Sequence, residues 1–225
     1  MGSMVGRREA LRAIPLFAGL SEPDLDEIAE LLIERRYPSR TTIFEEGSVG
    51  EYMYVIREGH VKISKMSDDG REKILEIMGP GTFFGEMALL DKETRSASVK
   101  STCACVLLAL SRQDFLALLR RNPDISMQLI CELSRRLRET DEEVRGLLFE
   151  RVEGRTRRVL RRMATQPAPG HPDHLATASV THQQLADLVG TSRETITRVV
   201  KGLKDEGWLD QQGKHYLVAK DKLTA

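Results

Sequence analysis

The feature that most constrains this chain is a run of glycines at 47, 50, 59, 70, 79, 81 and 85, with short apolar stretches between them. The stretches read "YMYVI", "HVKISKM", "KILEIM" and, further on, "ACVLLAL". None is long enough for an ordinary helix, and each ends at a turn-forming residue. Asp68-Asp69-Gly70 between two of them is a hairpin signal. Val61, Ile63 and Lys65 against Lys62, Ser64 and Met66 alternate in part. Many short strands with regular glycine turns predict an antiparallel sandwich or barrel over Tyr37 to Ser111.

Helical spacing flanks this region. Residues from Arg8 to Glu34 carry it, with Ser21 as the expected N-cap, Pro23 in the first turn, and Leu25, Ile28, Leu31 and Leu32 on one face. "SRQDFLALLRR" stops at Asn122-Pro123, and a long helix is predicted from Asp124 to Glu150. In it Ile130, Leu133, Leu137, Thr140, Val144 and Leu147 follow steps of three and four, a heptad seam. A seam this narrow suits a second copy of the same helix, hence a homodimer through 124–150. Thr140 is its polar member, which sets register or faces a ligand. "GRTRRVLRRMA" is a further amphipathic helix, and "TQPAPGHPDH" reads as a Pro/Gly-rich loop with two solvated histidines.

The 225 residues suggest more than one domain. The balance of 34 basic and 34 acidic residues hides an asymmetry. From Arg151 onward there are 13 Lys/Arg and 8 Asp/Glu, so the basic part lies at the C-terminal end and should meet any polyanion first. Three cysteines do not make a disulfide scaffold and fit a reducing compartment. Without an apolar run long enough to span a bilayer, the expected location is the cytoplasm, with no membrane partner. The opening Met1-Gly2-Ser3-Met4 has no apolar signal core and looks like a cloning scar.

The most informative stretch is "VTHQQLADLVGTSRETITRVVKGLKDEGWLDQQGKHYLV". Thr181 caps a helix carrying Leu185, Ala186, Leu188 and Val189, and Gly190 breaks it as a helix-turn-helix requires. Ser192 caps a second helix with Ile196, Val199, Val200 and Leu203 on its buried stripe. Arg193, Glu194, Thr197, Arg198 and Lys201 fall on the other side. Arginine can bind guanine in bidentate fashion and glutamate can accept from cytosine N4, so this face suits a major groove. Thr181, Gln183 and Lys201 suit phosphates. An ordinary Glu194–Arg198 surface ion pair is the plainer alternative. The remaining residues form a hairpin wing with Gln212-Gly213 at its turn.

Taken together, the chain resembles bacterial transcription regulators of the cAMP-receptor/fumarate-nitrate-reductase family along nearly all its length. "SRETITR" is similar to that family's recognition-helix signature, and "FGEMALL…TRSAS" to the motif of its cyclic-nucleotide-binding members. The resemblance implies an α+β chain: a jelly-roll-like β-roll over 1–122, a dimerisation helix over 123–150, and a winged helix-turn-helix over 151–225. It implies binding to double-stranded DNA at TGTGA-like half-sites of a palindrome, with Arg193, Glu194 and Arg198 at the bases, Ser192 and Thr197 among the other DNA-binding residues, and RNA polymerase as a partner. It implies a cAMP effector held by Gly85, Glu86, Met87, Ala88, Arg95, Ser96 and Ala97. In this scheme Glu86 accepts the ribose 2′-hydroxyl, and Arg95 and Ser96 hold the cyclic phosphate. A guanidinium fork and backbone N–H groups at the start of a short helix suit that charge. Glu86 and Arg95 as solvated surface charges is the bland alternative. Thr140 and the next residue, Asp141, would meet the adenine amine. Asp141 stands where enterobacterial receptors carry a smaller hydroxyl, so the choice between cAMP and cGMP rests on it.

The departures bear on ligand class. Cys103, Cys105 and Cys131 lie far from the N-terminal cysteine cluster of the iron–sulfur sensors, and His60 is the one histidine of the β-region. No iron–sulfur cluster, haem or metal is expected, and Cys103 and Cys105 should share a strand face in the core. With no nucleophile–base pair in view, an enzyme is not expected. The rival is a regulator of the same type that answers another ligand, or none, through a vestigial pocket.

Overall fold

A computed structural model describes residues 4–223, so Met1-Gly2-Ser3 lies outside the described residues. The chain divides into two compact units, Met1–Lys65 with Leu75–Leu137, and Met66–Ile74 with Arg138–Ala225.

The first unit opens with helices α1 (Met4–Arg12) and α2 (Glu22–Leu31), separated by a 3-10 turn at Pro15–Phe17. Ser21 caps α2 as expected, its hydroxyl accepting from the Asp24 N–H. The helical reading to Glu34 ran too far. The helix ends at Leu31, and Ile33–Tyr37 forms strand β1, paired antiparallel with the last strand of the roll at Ile33↔Ala109.

There follow β2 (Thr42–Phe44), β3 (Tyr52–Glu58), β4 (Val61–Met66), β5 (Glu72–Met78), β6 (Phe83–Phe84), helix α3 (Met87–Leu90), β7 (Ser98–Ser101) and β8 (Cys105–Ser111). They form two four-stranded sheets, β1-β8-β3-β6 and β2-β7-β4-β5. The β-roll is therefore antiparallel and jelly-roll-like. Its runs "YMYVI" and "CVLLAL" lack alternation because β3 and β8 are buried on both faces. Tyr54, Ile56, Leu107 and Ala109 pack against Val61, Phe84 and Val99 of the roll. Met53, Val55, Leu108 and Leu110 pack against Leu25 and Ile28 of α2 and against Phe115, Leu118, Ile125 and Leu129 beyond the roll. These last belong to α4 (Arg112–Arg121) and α5 (Pro123–Phe149).

The cysteines depart from expectation. Cys105 is buried at the head of β8, its Sγ bonded to the His60 carbonyl at 3.2 Å, and burial pushes its thiol up to about 11. Cys103 is exposed, because it sits in the bend before the strand begins.

Helix α5 continues into the second unit. There α6 (Val152–Met163), β9 (Ala164–Ala168), β10 (His171–Thr177), α7 (His182–Val189), α8 (Arg193–Asp205), β11 (Leu209–Gln212) and β12 (His215–Ala219) follow. The four strands form one sheet, β11-β12-β10-β9. "TQPAPGHPDH" is thus a hairpin and not a loop. Pro167 is tolerated because β9 is the sheet's edge, and Pro172 because the register shifts between His171 and Leu175. Gly170, at φ +78°, makes the turn. The wing appears as β11 and β12, paired Gln212↔His215, which puts its turn at Gly213-Lys214. The hairpin tip of β4 and β5 belongs to this unit, where Lys73 Nζ donates to Glu143 Oε1 at 2.7 Å and to the Leu188 carbonyl at 2.6 Å. No helix of the described residues is long and apolar enough to cross a membrane.

Leu108, fully buried between the roll and its helical layer, sets the scale of this packing. Leu108→Ala should cost about 2–5 kcal/mol in guanidinium unfolding, since the layers on either side leave little room to collapse.

Candidate functional site

Glu86 and Arg95 are not surface charges: they are 2% and 4% exposed. Arg95 lies over the Phe44 ring at 4.0 Å and donates through Nη1 to the Gly85 carbonyl and through Nη2 to the Tyr52 carbonyl, both at 2.6 Å. The expected guanidinium fork is therefore already held by the backbone. Its Nε is buried with no partner among the described residues. Two glycines allow this approach. A Cβ at Gly85, where φ is +83°, would fall 2.7 Å from Arg95 Nη1, and one at Gly50 would fall 2.7 Å from the Ala88 Cβ and 3.2 Å from Arg95 Cζ.

Glu86 precedes α3, and its carbonyl accepts from the N–H groups of Leu89 and Leu90. The first N–H groups of a helix have no acceptor within it and point outward. Ala88 and Ala97 are buried, Met87 is half exposed, and Ser96 is exposed with its hydroxyl 3.9 Å from Met87 Sδ. The roll thus gathers all seven expected nucleotide-site residues from Gly85 to Ala97 around the β6–β7 segment.

One participant was missed in the sequence. Arg136 of α5 donates from Nη1 to Glu86 Oε1 at 3.0 Å and from Nη2 to the Phe83 carbonyl at 2.9 Å, and it lies over the Phe83 ring. Glu132 holds its Nε at 2.8 Å. The available signal was spacing: Arg136 is one turn before Thr140 on the same helix face. Glu86 Oε2 stays buried with no partner among the described residues. Burial pushes the Glu86 carboxyl up, against the pull of Arg136 and Arg95. A buried acceptor and a buried donor, each lacking one bond, fit a small ligand bearing both a hydroxyl and an anionic oxygen. Thr140 and Asp141 are exposed on α5. Of the seam, Ile130, Leu137, Val144 and Leu147 are about half exposed or more, up to 62% at Leu137. Leu133 packs partly on the core of the first unit.

In the second unit α7 and α8 are built as the caps predicted. Thr181 and Gln184 form a capping box, and the Ser192 hydroxyl accepts from the Thr195 N–H at 3.2 Å. Gly190, at φ +75°, ends α7. Ile196, Val200 and Leu203 are buried and Val199 partly so, while Arg193, Glu194, Thr197, Arg198 and Lys201 are all exposed. No ion pair joins Glu194 to Arg198 among the described residues. The Glu194 carboxyl is held below its usual range by its own backbone N–H and by Ser192. Gln183 donates to Asp187 at 2.8 Å.

Comparison with known proteins agrees with this layout. Residues 34–122 match the cyclic nucleotide-binding domain, and residues 154–225 the Crp-like helix-turn-helix domain. Over 88% of its length the chain is 38% identical to the cyclic AMP receptor protein of Thermus thermophilus, of which it covers 88%. It belongs to the cAMP receptor protein (CRP) family. Over the same share it is 35% identical to the cAMP-activated global transcriptional regulator CRP of Escherichia coli, covering 97% of that protein. Among solved structures of the family, the Xanthomonas campestris regulator CLP, described as c-di-GMP responsive, is 33% identical with a TM-score of 0.70 over 84% of this chain and 95% of that one. The Thermus thermophilus catabolite activator protein is 36% identical with a TM-score of 0.56 over 93% and 95%. The CRP family consists of DNA-binding transcription regulators and not of enzymes, and this member carries its cyclic nucleotide-binding domain.

The raised Glu86 carboxyl has a stability consequence. Its contribution is full below the unfolded pKa and is lost as pH rises through the higher folded one. Glu86→Gln cannot ionise, so its denaturation midpoint should gain on the wild type as pH is raised from about 4 to about 8. A constant difference would show that burial does not shift Glu86.

Proposed function

We propose that this chain is a cAMP-responsive regulator that binds palindromic TGTGA-like DNA as a homodimer. The observation that carries the ligand is the pair of orphaned atoms in the roll, Glu86 Oε2 and Arg95 Nε. In this reading Glu86 Oε2 accepts the ribose 2′-hydroxyl. Arg95 Nε, the Ser96 hydroxyl and the N–H groups at the start of α3 meet the cyclic phosphate, with Gly85, Met87, Ala88 and Ala97 shaping the space. Thr140 and Asp141 are the proposed adenine contacts. The names of the relatives at 38% and 35% identity, a cyclic AMP receptor protein and a cAMP-activated regulator, support cAMP.

Two competing bonds give the ligand its leverage. Glu86 already holds Arg136 of α5, and Arg95 already holds two carbonyls. A hydroxyl accepted by Glu86 alters the carboxylate that Arg136 grips, so nucleotide binding bears on α5. Only a ligand with different affinities for two arrangements shifts their balance. The exposed seam supports dimerisation through 123–150 between a sensing domain over 1–122 and a DNA-binding domain over 151–225. The dimer would set two α8 helices in major grooves about 34 Å apart. Arg193, Glu194, Thr197 and Arg198 would face base edges from a helix capped by Ser192, with Thr181, Gln183 and Lys201 on phosphates. Such a regulator works in the cytoplasm with RNA polymerase as its partner.

Calorimetry with cAMP should show binding that Arg95→Leu reduces by at least tenfold while circular dichroism confirms the fold; unchanged affinity would sink the pocket. Because CLP is described as c-di-GMP responsive, that dinucleotide and cGMP are the controls, and tighter binding of either would replace cAMP in this reading.

On DNA, footprinting at fixed salt should show two protected half-sites related by two-fold symmetry, strengthened by cAMP. Arg193→Ala should relax preference at one base pair per half-site, at about 1–3 kcal/mol. A variant with intact preference would remove Arg193 from base reading.

A further inference from the structure

The hydroxyl of Thr197, on the exposed face of α8, has one proton, and it donates that proton to the Arg193 carbonyl at 2.9 Å. His182 Nδ1, at the start of α7, lies 3.0 Å from the same oxygen. With that proton on the carbonyl, both contacts are hydrogen bonds when the imidazole donates from Nδ1–H. The ring lies nearly parallel to that of Tyr216 of β12, with centroids 6.4 Å apart and 13° between planes. Burial, and then the cations Arg193 and Lys204 of α8, hold its pKa below the ordinary histidine value. The Tyr216 phenol is pushed up to about 12 and brings no charge at neutral pH. Both the neutral Nδ1–H tautomer and the imidazolium donate to Thr197, so this bond survives titration.

We propose that His182 is a positioning residue that determines specificity: by donating to the Thr197 oxygen it keeps the hydroxyl proton on the Arg193 carbonyl, so Thr197 offers DNA no donor and its methyl reads the methyl of thymine. With its proton committed, Thr197 cannot donate to guanine N7 or O6, or to thymine O4. The apolar contact between a threonine methyl and the thymine C5-methyl remains. This rests on α8 being the recognition helix, as proposed above.

The test starts from the half-site that the full-length wild type with cAMP selects from randomised duplexes, followed by replacement of each thymine with deoxyuridine. One replacement should cost the wild type about fourfold in affinity, the value of one buried methyl group. Thr197→Val should keep that discrimination and Thr197→Ser should erase it. His182→Phe keeps the stack but has no donor, and should change base preference at that position alone. His182→Asn, whose amide nitrogen stands in for Nδ1, should restore it. The thymine preference of the wild type should stay flat between about pH 5.5 and pH 8, across the ordinary histidine range. The inference is overturned if no thymine methyl matters, if Thr197→Val loses the preference, if His182→Phe leaves it unchanged, or if it varies with pH. A wild type that selects no half-site overturns the underlying DNA reading instead.

Discussion

Burial of β3 and β8 on both faces is the constraint from which the rest of the first unit follows. One face closes the roll around Tyr54, Ile56, Leu107 and Ala109, and the other must find an apolar cover. That cover is α2, α4 and the first turns of α5, through Leu25, Ile28, Phe115, Leu118, Ile125 and Leu129. The long helix is thus rooted in the core of the sensing unit at its start, while its seam farther along stays open at Leu137, Val144 and Leu147.

The proposed nucleotide site holds two of the few buried polar residues of the first unit. Glu86 and Arg95 are buried charges, and each is only partly compensated. A buried ion left fully unpaired would be very costly, so Glu86 takes Arg136 and Arg95 takes two carbonyls and the Phe44 ring. What is left over is one acceptor and one donor. A site compensated this far still offers two bonds that a ligand could complete. The cation that makes Glu86 bearable is carried by α5, which ties the proposed site to that helix.

The sequence made the architecture readable where its signals are local. Glycine punctuation marked the strands, Ser21, Thr181 and Ser192 marked helix starts, and three-four spacing marked the seam. It misled where tertiary context overrides local chemistry. Leu32 to Glu34 look helical, yet the chain turns there to supply β1 to an edge of the roll. Pro167, Pro169 and Pro172 look like a loop, yet an edge position and a register shift admit two of them into strands. Cys103 and Cys105 have strand spacing, but the strand begins only at the second. Within the pocket, Glu86 and Arg95 were visible through their motif. Arg136 was not, because nothing local distinguishes it from the other arginines of α5; its importance comes from a carboxylate 50 positions away.

In the DNA-binding unit the exposed polar groups fall into two sets, and the division bears on how recognition works. The hydroxyls of Thr181, Ser192 and Thr197 are committed to capping or to backbone carbonyls, and Gln183 is tied to Asp187. Arg193 and Arg198 remain exposed with no ion pair among the described residues. Holding the hydroxyls and amides of small side chains in internal bonds keeps those polar atoms from competing for base edges and makes the helix ends rigid. In the proposed reading the long cations would meet the groove from a fixed platform, where each bidentate contact discriminates more strongly than a floppy one. The basic excess after Arg151 supplies attraction without sequence. In the proposed reading specificity falls to the free cations and to the Thr197 methyl, the one part of that side chain its internal bonds leave uncommitted.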